Sequence, residues 1–272
     1  MSGSLPTPAW AQATAAVRHV PDRRAGLRAL ARVEGRRLVR HPLFLLGAAC
    51  SALILTVFAD GSTFEYWNLL GAALLFAGLA PWTLLVAFLA AQRAHRDGAR
   101  DLYRATPLPA QTRTAAALLS LLWAAAATAV LLAVAWLARI GLDGTIAIDG
   151  RAVRPGAFEL AQGPLVVMAF GAFGVALARW LPFTVAGPLA MLAALPLSGL
   201  PWVVQRQIEN PGDGLHGHAG WHLAFLAGVT LAAGAAALAR DGRSRGAALL
   251  AALGLAGAVA GYVLGGPYAG GR

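Results

Sequence analysis

Long apolar runs without formal charge dominate this sequence of 272 residues and alternate with short segments rich in arginine. A helix needs about 20 consecutive apolar residues to cross the hydrocarbon core of a bilayer. Seven runs reach or approach this length, and none contains Asp, Glu, Lys or Arg: residues 43–59, 67–91, 114–138, 161–178, 183–204, 221–239 and 246–264. Charged residues make up only 12% of the chain, against about 25% in soluble domains. The pattern predicts an all-α polytopic membrane protein with six to seven transmembrane helices.

The basic residues predict how these helices are oriented. All 22 are arginine, and arginine accumulates in the cytoplasmic loops of membrane proteins. A cytoplasmic N-terminus places 17 of them inside and five outside, namely Arg139, Arg151, Arg154, Arg206 and Arg272. The Ala, Gly, Arg and Pro bias without lysine is typical of GC-rich bacteria, so we expect a multi-pass protein of the bacterial plasma (inner) membrane. Seven crossings would place the C-terminus outside.

The net charge of +10 does not indicate a nucleic-acid partner. The arginines flank apolar runs of bilayer length and do not form one basic domain. Anionic membrane lipid on the cytoplasmic leaflet, together with any acidic cytoplasmic partner, is the counterpart that this charge distribution favours.

Residues 1–24 are predicted to form a flexible cytoplasmic tail, and residues 25–42 an amphipathic helix in the membrane interface. Leucines share one side of this helix and arginines the other, so its apolar side is expected to rest on lipid. Pro42 then ends it, because the residue before a proline is disfavoured in the helical region. Glu34 lies near the middle of the apolar side, where a carboxylate needs a partner. That partner is either Arg37, three residues further on, or a basic residue of another cytoplasmic segment.

Several parts of the transmembrane domain, residues 43–264, have distinctive patterns. The 114–138 run is longer than the bilayer requires and predicts a helix that tilts or projects. The 183–204 run contains three prolines and predicts a kinked or broken helix facing other helices. The Gly- and Ala-rich 246–264 run predicts close packing on a neighbour. Alternating apolar residues around Asp149-Gly150 predict a small β-hairpin.

The cytoplasmic segment 92–113 is the candidate site for a partner. Its arginines and aspartates can form i,i+3 and i,i+4 ion pairs along a short helix, which ends at a Thr-Pro pair. The segment is either a solvated loop whose arginines only keep it on the cytoplasmic side, or a docking helix that binds a soluble partner through apolar anchors. Its candidate coupling residues are Arg96, Asp97, Gly98, Arg100, Asp101, Leu102, Tyr103 and Pro107, with Leu102 and Tyr103 as the anchors.

Other sites are absent or weakly indicated. A P-loop requires a lysine, and this chain has none, so any ATP-driven action needs a separate ATPase. Zinc-protease and serine-hydrolase motifs are also absent, so we do not expect an enzyme. His216, His218 and His222 are of a metal-ligating type, but we expect interfacial loop histidines and no metal. The scarcity of ionisable residues in the apolar runs argues against a proton-coupled carrier.

Two groups of residues flank the first two apolar runs. The first is Glu34-Gly35-Arg36-Arg37-Leu38 with His41-Pro42, and the second is Arg96-Asp97-Gly98-Ala99-Arg100-Asp101-Leu102 with Ala105-Thr106-Pro107-Leu108. In this order they resemble the type-2 ABC transporter permease family, over about residues 25–240. The resemblance implies an N-terminal elbow helix carrying Glu34, Arg36, Arg37 and Pro42. It also implies six spans and a coupling helix that docks on a separate ATPase subunit.

The resemblance implies that this chain is the membrane-spanning permease subunit of an ATP-driven ABC transporter. Its cargo would be a hydrophobic or amphipathic substrate that is exported. The chain itself would bind no cofactor, whereas the partner ATPase would bind ATP and Mg, and a second copy or a sister permease would complete the pathway. The family often has Glu, Gly and Thr in place of Asp97, Gly98 and Ala99, and the seventh run departs from its six-span pattern. The alternatives are a non-transporting membrane scaffold or assembly factor, and a secondary carrier.

Overall fold

Helices make up most of the part of the chain that the structure describes. The computed structural model describes residues 23–57, 78–96, 109–143, 146–148, 151–153, 157–181, 183–198, 219–242 and 244–264. Within these ranges the helices are α1 (Arg23–Val39), α2 (Pro42–Val57), α3 (Leu79–Arg96), α4 (Ala110–Asp143), α5 (Ala157–Trp180), α6 (Ala186–Ser198), α7 (Ala219–Asp241) and α8 (Arg245–Leu264). The predicted helical class is therefore confirmed for this part of the chain.

A small β-hairpin lies between α4 and α5. Strand β1 (Ile146–Ile148) pairs antiparallel with β2 (Arg151–Val153), and Ile148 is the register partner of Arg151. Only Asp149-Gly150 separates the two strands, and Asp-Gly is a preferred sequence for such a two-residue connection. The structure thus contains the hairpin that the alternating pattern predicts.

Four helices are long and apolar enough to cross a membrane. They contain the segments Ala110–Ala135, Leu160–Trp180, Gly220–Asp241 and Arg245–Leu264. A fifth candidate arises if α1 and α2, which meet at a bend of 56°, are taken as one broken span. These helices support a multi-pass membrane protein. The length of the 114–138 run is also confirmed, since α4 extends over 34 residues.

The other predicted runs are only partly covered by the described residues. The structure describes the 67–91 run from residue 78 onward, and the apolar part of α3, Leu79–Arg93, is shorter than a span. In the 183–204 run, α6 has 13 residues, too few to cross a bilayer alone. The rest of that run, residues 199–204, lies outside the described residues. Six to seven crossings therefore remain a prediction.

The junction of α1 and α2 follows the Pro42 prediction. Helix α1 ends at Val39, and Pro42 is the first residue of α2, where its missing N–H costs nothing. His41 caps the new helix: its carbonyl accepts a hydrogen bond from Leu45 N at 3.0 Å, and its Nδ1 accepts one from Leu43 N at 3.2 Å. The proline and the cap together fix the corner.

Part of the apolar side of α1 contacts protein, and the prediction that this side rests on lipid stays a prediction. Ala31 and Leu38 are buried, and the Trp123 ring of α4 packs directly over Gly35. The arginine-bearing side is exposed, as the amphipathic pattern predicts. Periodicity identifies which side of a helix is apolar, but it does not distinguish lipid from a neighbouring helix as the cover.

Contacts between helices fix their relative directions. In antiparallel pairs the contacts follow opposite orders along the two helices. Helices α2 and α3 are antiparallel, with contacts Gly47–Trp82 and Ser51–Leu79, and so are α3 and α6, with contacts Phe88–Gly187 and Gln92–Phe183. The same holds for α4 and α7, with contacts Leu118–Gly234 and Thr114–Asp241. It holds also for α7 and α8, with contacts Gly228–Ala258 and Phe225–Gly261. Helices α3 and α5 are parallel, because their contacts follow the same order along both helices: Leu84 meets Gly174, and further along Gln92 meets Leu181.

Helix α4 is also antiparallel to α5. Leu121 contacts Gly171, while Thr114 and Arg179 meet at Asp241. The seven helices α2–α8 therefore alternate in direction, as consecutive membrane crossings would. One consequence is that the arginines at their termini gather at a single end of the bundle, which we call the Arg-bearing end: Arg40, Arg93, Arg113, Arg179, Arg240 and Arg245.

Helix α5 lies at the centre and packs against α3, α4 and α7. Glycine permits α5 to approach α3 closely, because a methyl group at Gly174 would overlap the carbonyl oxygen of Leu84. Helices α7 and α8 also pack closely through glycine. Gly228, Gly254 and Gly261 each lie against backbone atoms of the opposing helix. The close packing predicted for the 246–264 run is confirmed.

Candidate functional site

The candidate functional site is the Arg-bearing end, centred on the segment that joins α3 to α4. Arg96 is the last residue of α3, and α4 begins at Ala110. The other candidate coupling residues lie outside the described residues, so their roles stay predictions: Asp97, Gly98, Arg100, Asp101, Leu102, Tyr103 and Pro107. The structure does show how the two helices bordering this segment are held.

Glu34 connects α1 to the end of α3. Its Oε1 lies 3.4 Å from Arg37 Nη1, and its Oε2 lies 3.5 Å from Arg93 Nη1. Both alternatives that the sequence left open for Glu34 are therefore present. The pair with Arg37 is largely solvated and contributes little to the stability of the fold. The pair with half-buried Arg93 links α1 to α3.

Gln92 attaches α3 to the corner between α5 and α6. Its side chain is only 2% exposed. Its Nε2 donates to the carbonyl of Leu181 at 3.0 Å and to that of Phe183 at 3.4 Å. Carbonyls at a helix C-terminus have no partner within their own helix. One amide thus satisfies backbone groups on both sides of the corner while it holds α3 in place.

The first turn of α4 is attached to the corner between α7 and α8. Gln111 Nε2 donates a hydrogen bond of 2.6 Å to the carbonyl of Gly242. A Cβ atom on residue 242 would lie 2.9 Å from that same nitrogen, so the contact favours glycine there. The hydrogen bond links the start of α4 to the final two helices of the chain.

A largely buried ion pair makes the second attachment of α4. Asp241 Oδ2 accepts a hydrogen bond from Thr114 Oγ1 and lies 3.7 Å from Arg179 Nε. The Arg179 and Asp241 side chains are 16% and 14% exposed. Helices α4, α5 and α7 therefore meet at one carboxylate, in a setting where an uncompensated charge would be strongly destabilising.

His41 makes the α1–α2 corner sensitive to pH. Burial, followed by the positive charge of Arg93, lowers the pKa of His41 below its ordinary value of 6.5. Protonation would also remove the Nδ1 lone pair that accepts the bond from Leu43 N. The unfolded chain therefore binds this proton more readily than the folded chain, and acid favours unfolding.

We expect the thermal stability of the purified chain to fall as the pH drops below about 6.5, because protonation removes the helix cap that His41 Nδ1 supplies. The measurement is the unfolding temperature at pH 7.5 and at pH 5.5. His41→Asn is the control, since asparagine caps helices without titrating. If the variant and the wild type lose the same stability on acidification, His41 is not the titrating group.

The three histidines of a metal-ligating type can be placed in part. His222 is buried on α7 and stacks on Phe225, with ring centroids 5.9 Å apart, so it is a packed helix residue, in line with its place at the start of the 221–239 run. His216 and His218 lie outside the described residues. No three His, Cys, Asp or Glu side chains of the described ranges are grouped so as to hold a metal. Trp82 and Trp123 pack on glycines of neighbouring helices.

Four residues at this site were not singled out from the sequence: Gln92, Gln111, Thr114 and Asp241. A usable signal existed for the glutamines, which border apolar runs where an amide needs a partner. Asp241 is the acidic residue in a stretch with Arg240, Arg243 and Arg245, which indicates pairing but not the partner. The chain matches no protein-family model, and searches of curated proteins and of solved structures found no match.

Proposed function

We propose that this chain is the membrane-spanning permease subunit of an ATP-driven ABC transporter, and that the segment between α3 and α4 receives force from a separate ATPase subunit. One observation carries the proposal. Both helices that border the segment are attached to other helices by buried or half-buried polar side chains: Gln92 and Arg93 on α3, and Gln111 and Thr114 on α4.

These attachments suggest a path for the force. A push on the segment displaces the end of α3 and, through Gln92, the α5–α6 corner. It displaces the start of α4 and, through Gln111, the α7–α8 corner. Hydrogen bonds are electrostatically stronger in a low-dielectric interior than in water, so the helices move with the segment. Changes in helix tilt then switch access across the bilayer.

The topology of the proposed permease follows from charge and direction. The Arg-bearing end lies in the cytoplasm of a bacterial cell, and α2–α8 contribute six to seven crossings. The 56° bend at Pro42 supports an elbow-like α1. ATP and Mg bind to the partner ATPase, and a second copy or a sister permease completes the pathway. The uncharged runs favour a hydrophobic or amphipathic substrate, and its export is what the resemblance to the permease family implies.

We expect Leu102→Asp together with Tyr103→Asp to abolish co-purification of the chain with its ATPase subunit, taken as an ATP-binding-cassette protein encoded beside it. Two buried anchors contribute about 2 kcal/mol or more each, which corresponds to roughly a thousandfold in Kd. Leu102→Met with Tyr103→Phe is the matched control and should retain binding. Undiminished binding by the aspartate variant, eluting as a folded species, would show that this segment is not the docking site.

A further inference from the structure

A second surface at the Arg-bearing end lies outside the coupling segment. Trp180, the last residue of α5, leaves 55% of its surface exposed, although its Nε1 donates a 3.0 Å hydrogen bond to the carbonyl of Ala236. The Arg240 guanidinium carbon lies 5.8 Å from the centroid of this indole. The hydrogen bond fixes the ring in place, and the cation–π contact fixes the guanidinium above it.

Arg240 retains its capacity to bind an anion. Its side chain is exposed, and no carboxylate in the described part of the chain pairs with it. The acidic neighbour Asp241 is already engaged by Arg179 and Thr114. The guanidinium therefore has free N–H donors, which suit a phosphate or a carboxylate.

Exposed apolar residues follow Trp180 in the chain. The chain leaves α5 through Leu181, Phe183 and Val185, and these side chains are exposed, Phe183 by 68%. Trp180 and Asp241 end the spanning segments Leu160–Trp180 and Gly220–Asp241. The surface thus lies where the hydrocarbon core meets the headgroup layer, the level at which tryptophan is enriched.

We propose that Trp180 and Arg240 form a binding site for an anionic phospholipid. Arg240 binds the phosphodiester, while the Trp180 and Phe183 rings contact the glycerol and the upper acyl chains. An acidic soluble protein would account for the arginine but not for the exposed apolar groups beside it. The net charge of +10 and the arginines gathered at this end favour an anionic leaflet. The site requires a membrane but not a partner ATPase, so it stands apart from the proposed function.

Native mass spectrometry of the full purified chain in detergent tests the site, with phosphatidylglycerol and phosphatidylcholine as the probes. We expect preferential binding of phosphatidylglycerol, weakened about fivefold by Arg240→Gln, the effect expected for one arginine at an anionic surface. Trp180→Leu should weaken phosphatidylglycerol binding more than Arg240→Gln does. Trp180→Phe, which keeps an aromatic ring, should bind more tightly than Trp180→Leu. Arg32→Gln, which removes an exposed arginine from α1, is the matched control and should change binding little.

Three results would overturn the proposal. The first is an equal loss of binding in Arg32→Gln and Arg240→Gln, which would show only general charge attraction. The second is competition by inorganic phosphate at the concentrations at which phosphatidylglycerol binds, which would show a site for free phosphate. The third is efficient disulfide cross-linking between two copies carrying Trp180→Cys in a Cys50→Ala background, which would show that a second copy covers this surface.

Discussion

Asp241→Ala is expected to lower the unfolding temperature of the purified chain by roughly 6–12 °C. The substitution removes the partner of Arg179 and leaves a guanidinium in a site where the two side chains are only 16% and 14% exposed. Loss of one member of a buried pair costs about 3–5 kcal/mol, and the residual exposure places our estimate near 3 kcal/mol. A chain of this size shifts by about 2–4 °C per kcal/mol. Thermal unfolding in detergent provides the measurement.

A double-mutant cycle with Arg179→Gln and Asp241→Asn as its single variants separates the ion pair from the loss of the Asp241 side chain itself. Arg179→Gln combined with Asp241→Asn leaves no buried charge, so the double variant should be more stable than the less stable of the two single variants. Arg245→Gln, an exposed arginine on the next helix, should change stability by less than about 0.5 kcal/mol. Additive losses in the cycle would show that Arg179 and Asp241 do not interact.

Gly254→Ala is expected to destabilise the chain by about 1–3 kcal/mol, the usual effect of overpacking a close contact. The added methyl group would lie 2.6 Å from Ala232 N, 2.9 Å from Gly228 O and 3.0 Å from Ala232 Cα. All three atoms belong to the backbone of α7 and cannot rotate away. The two helices would have to separate along their length, which we would measure as a lower unfolding temperature.

Gly257→Ala, three residues further along α8, is the matched control. A methyl group there would meet Ala224 O at 3.4 Å and Gly228 Cα at 3.5 Å, which are ordinary contacts. Alanine favours helix by up to about 1 kcal/mol over glycine, so this variant should be as stable as the wild type or more stable. If both variants behaved alike, the close approach of α7 and α8 would be ruled out.

Local features of the fold were predictable because they depend on residues near one another in the sequence. Apolar runs identified four helices that are long and apolar enough to cross a membrane, Pro42 the break after α1, and Asp149-Gly150 the hairpin between β1 and β2. The glycines of the 246–264 run indicated close packing, because small side chains are what allow two backbones to approach. In each case one dominant local preference decided the outcome.

The attachments at the Arg-bearing end were not predictable in the same way. Gln92 and Gln111 were visible as polar residues beside apolar runs, but their acceptors, at Leu181 and Gly242, are distant in the sequence. Which helix ends meet is decided by the packing of the whole bundle. For Glu34 the sequence indicated two alternative partners. Both are present in the structure, because each carboxylate oxygen of Glu34 lies near a different arginine.

We propose that the segment between α3 and α4 lies in the cytoplasm, where an ATPase can reach it. The most direct test is labelling of Tyr103→Cys in a Cys50→Ala background with a membrane-impermeant maleimide. We expect labelling in inverted membrane vesicles and none in intact cells, with Gly150→Cys in the hairpin connection showing the opposite pattern. Labelling of Tyr103→Cys from outside intact cells would contradict the account.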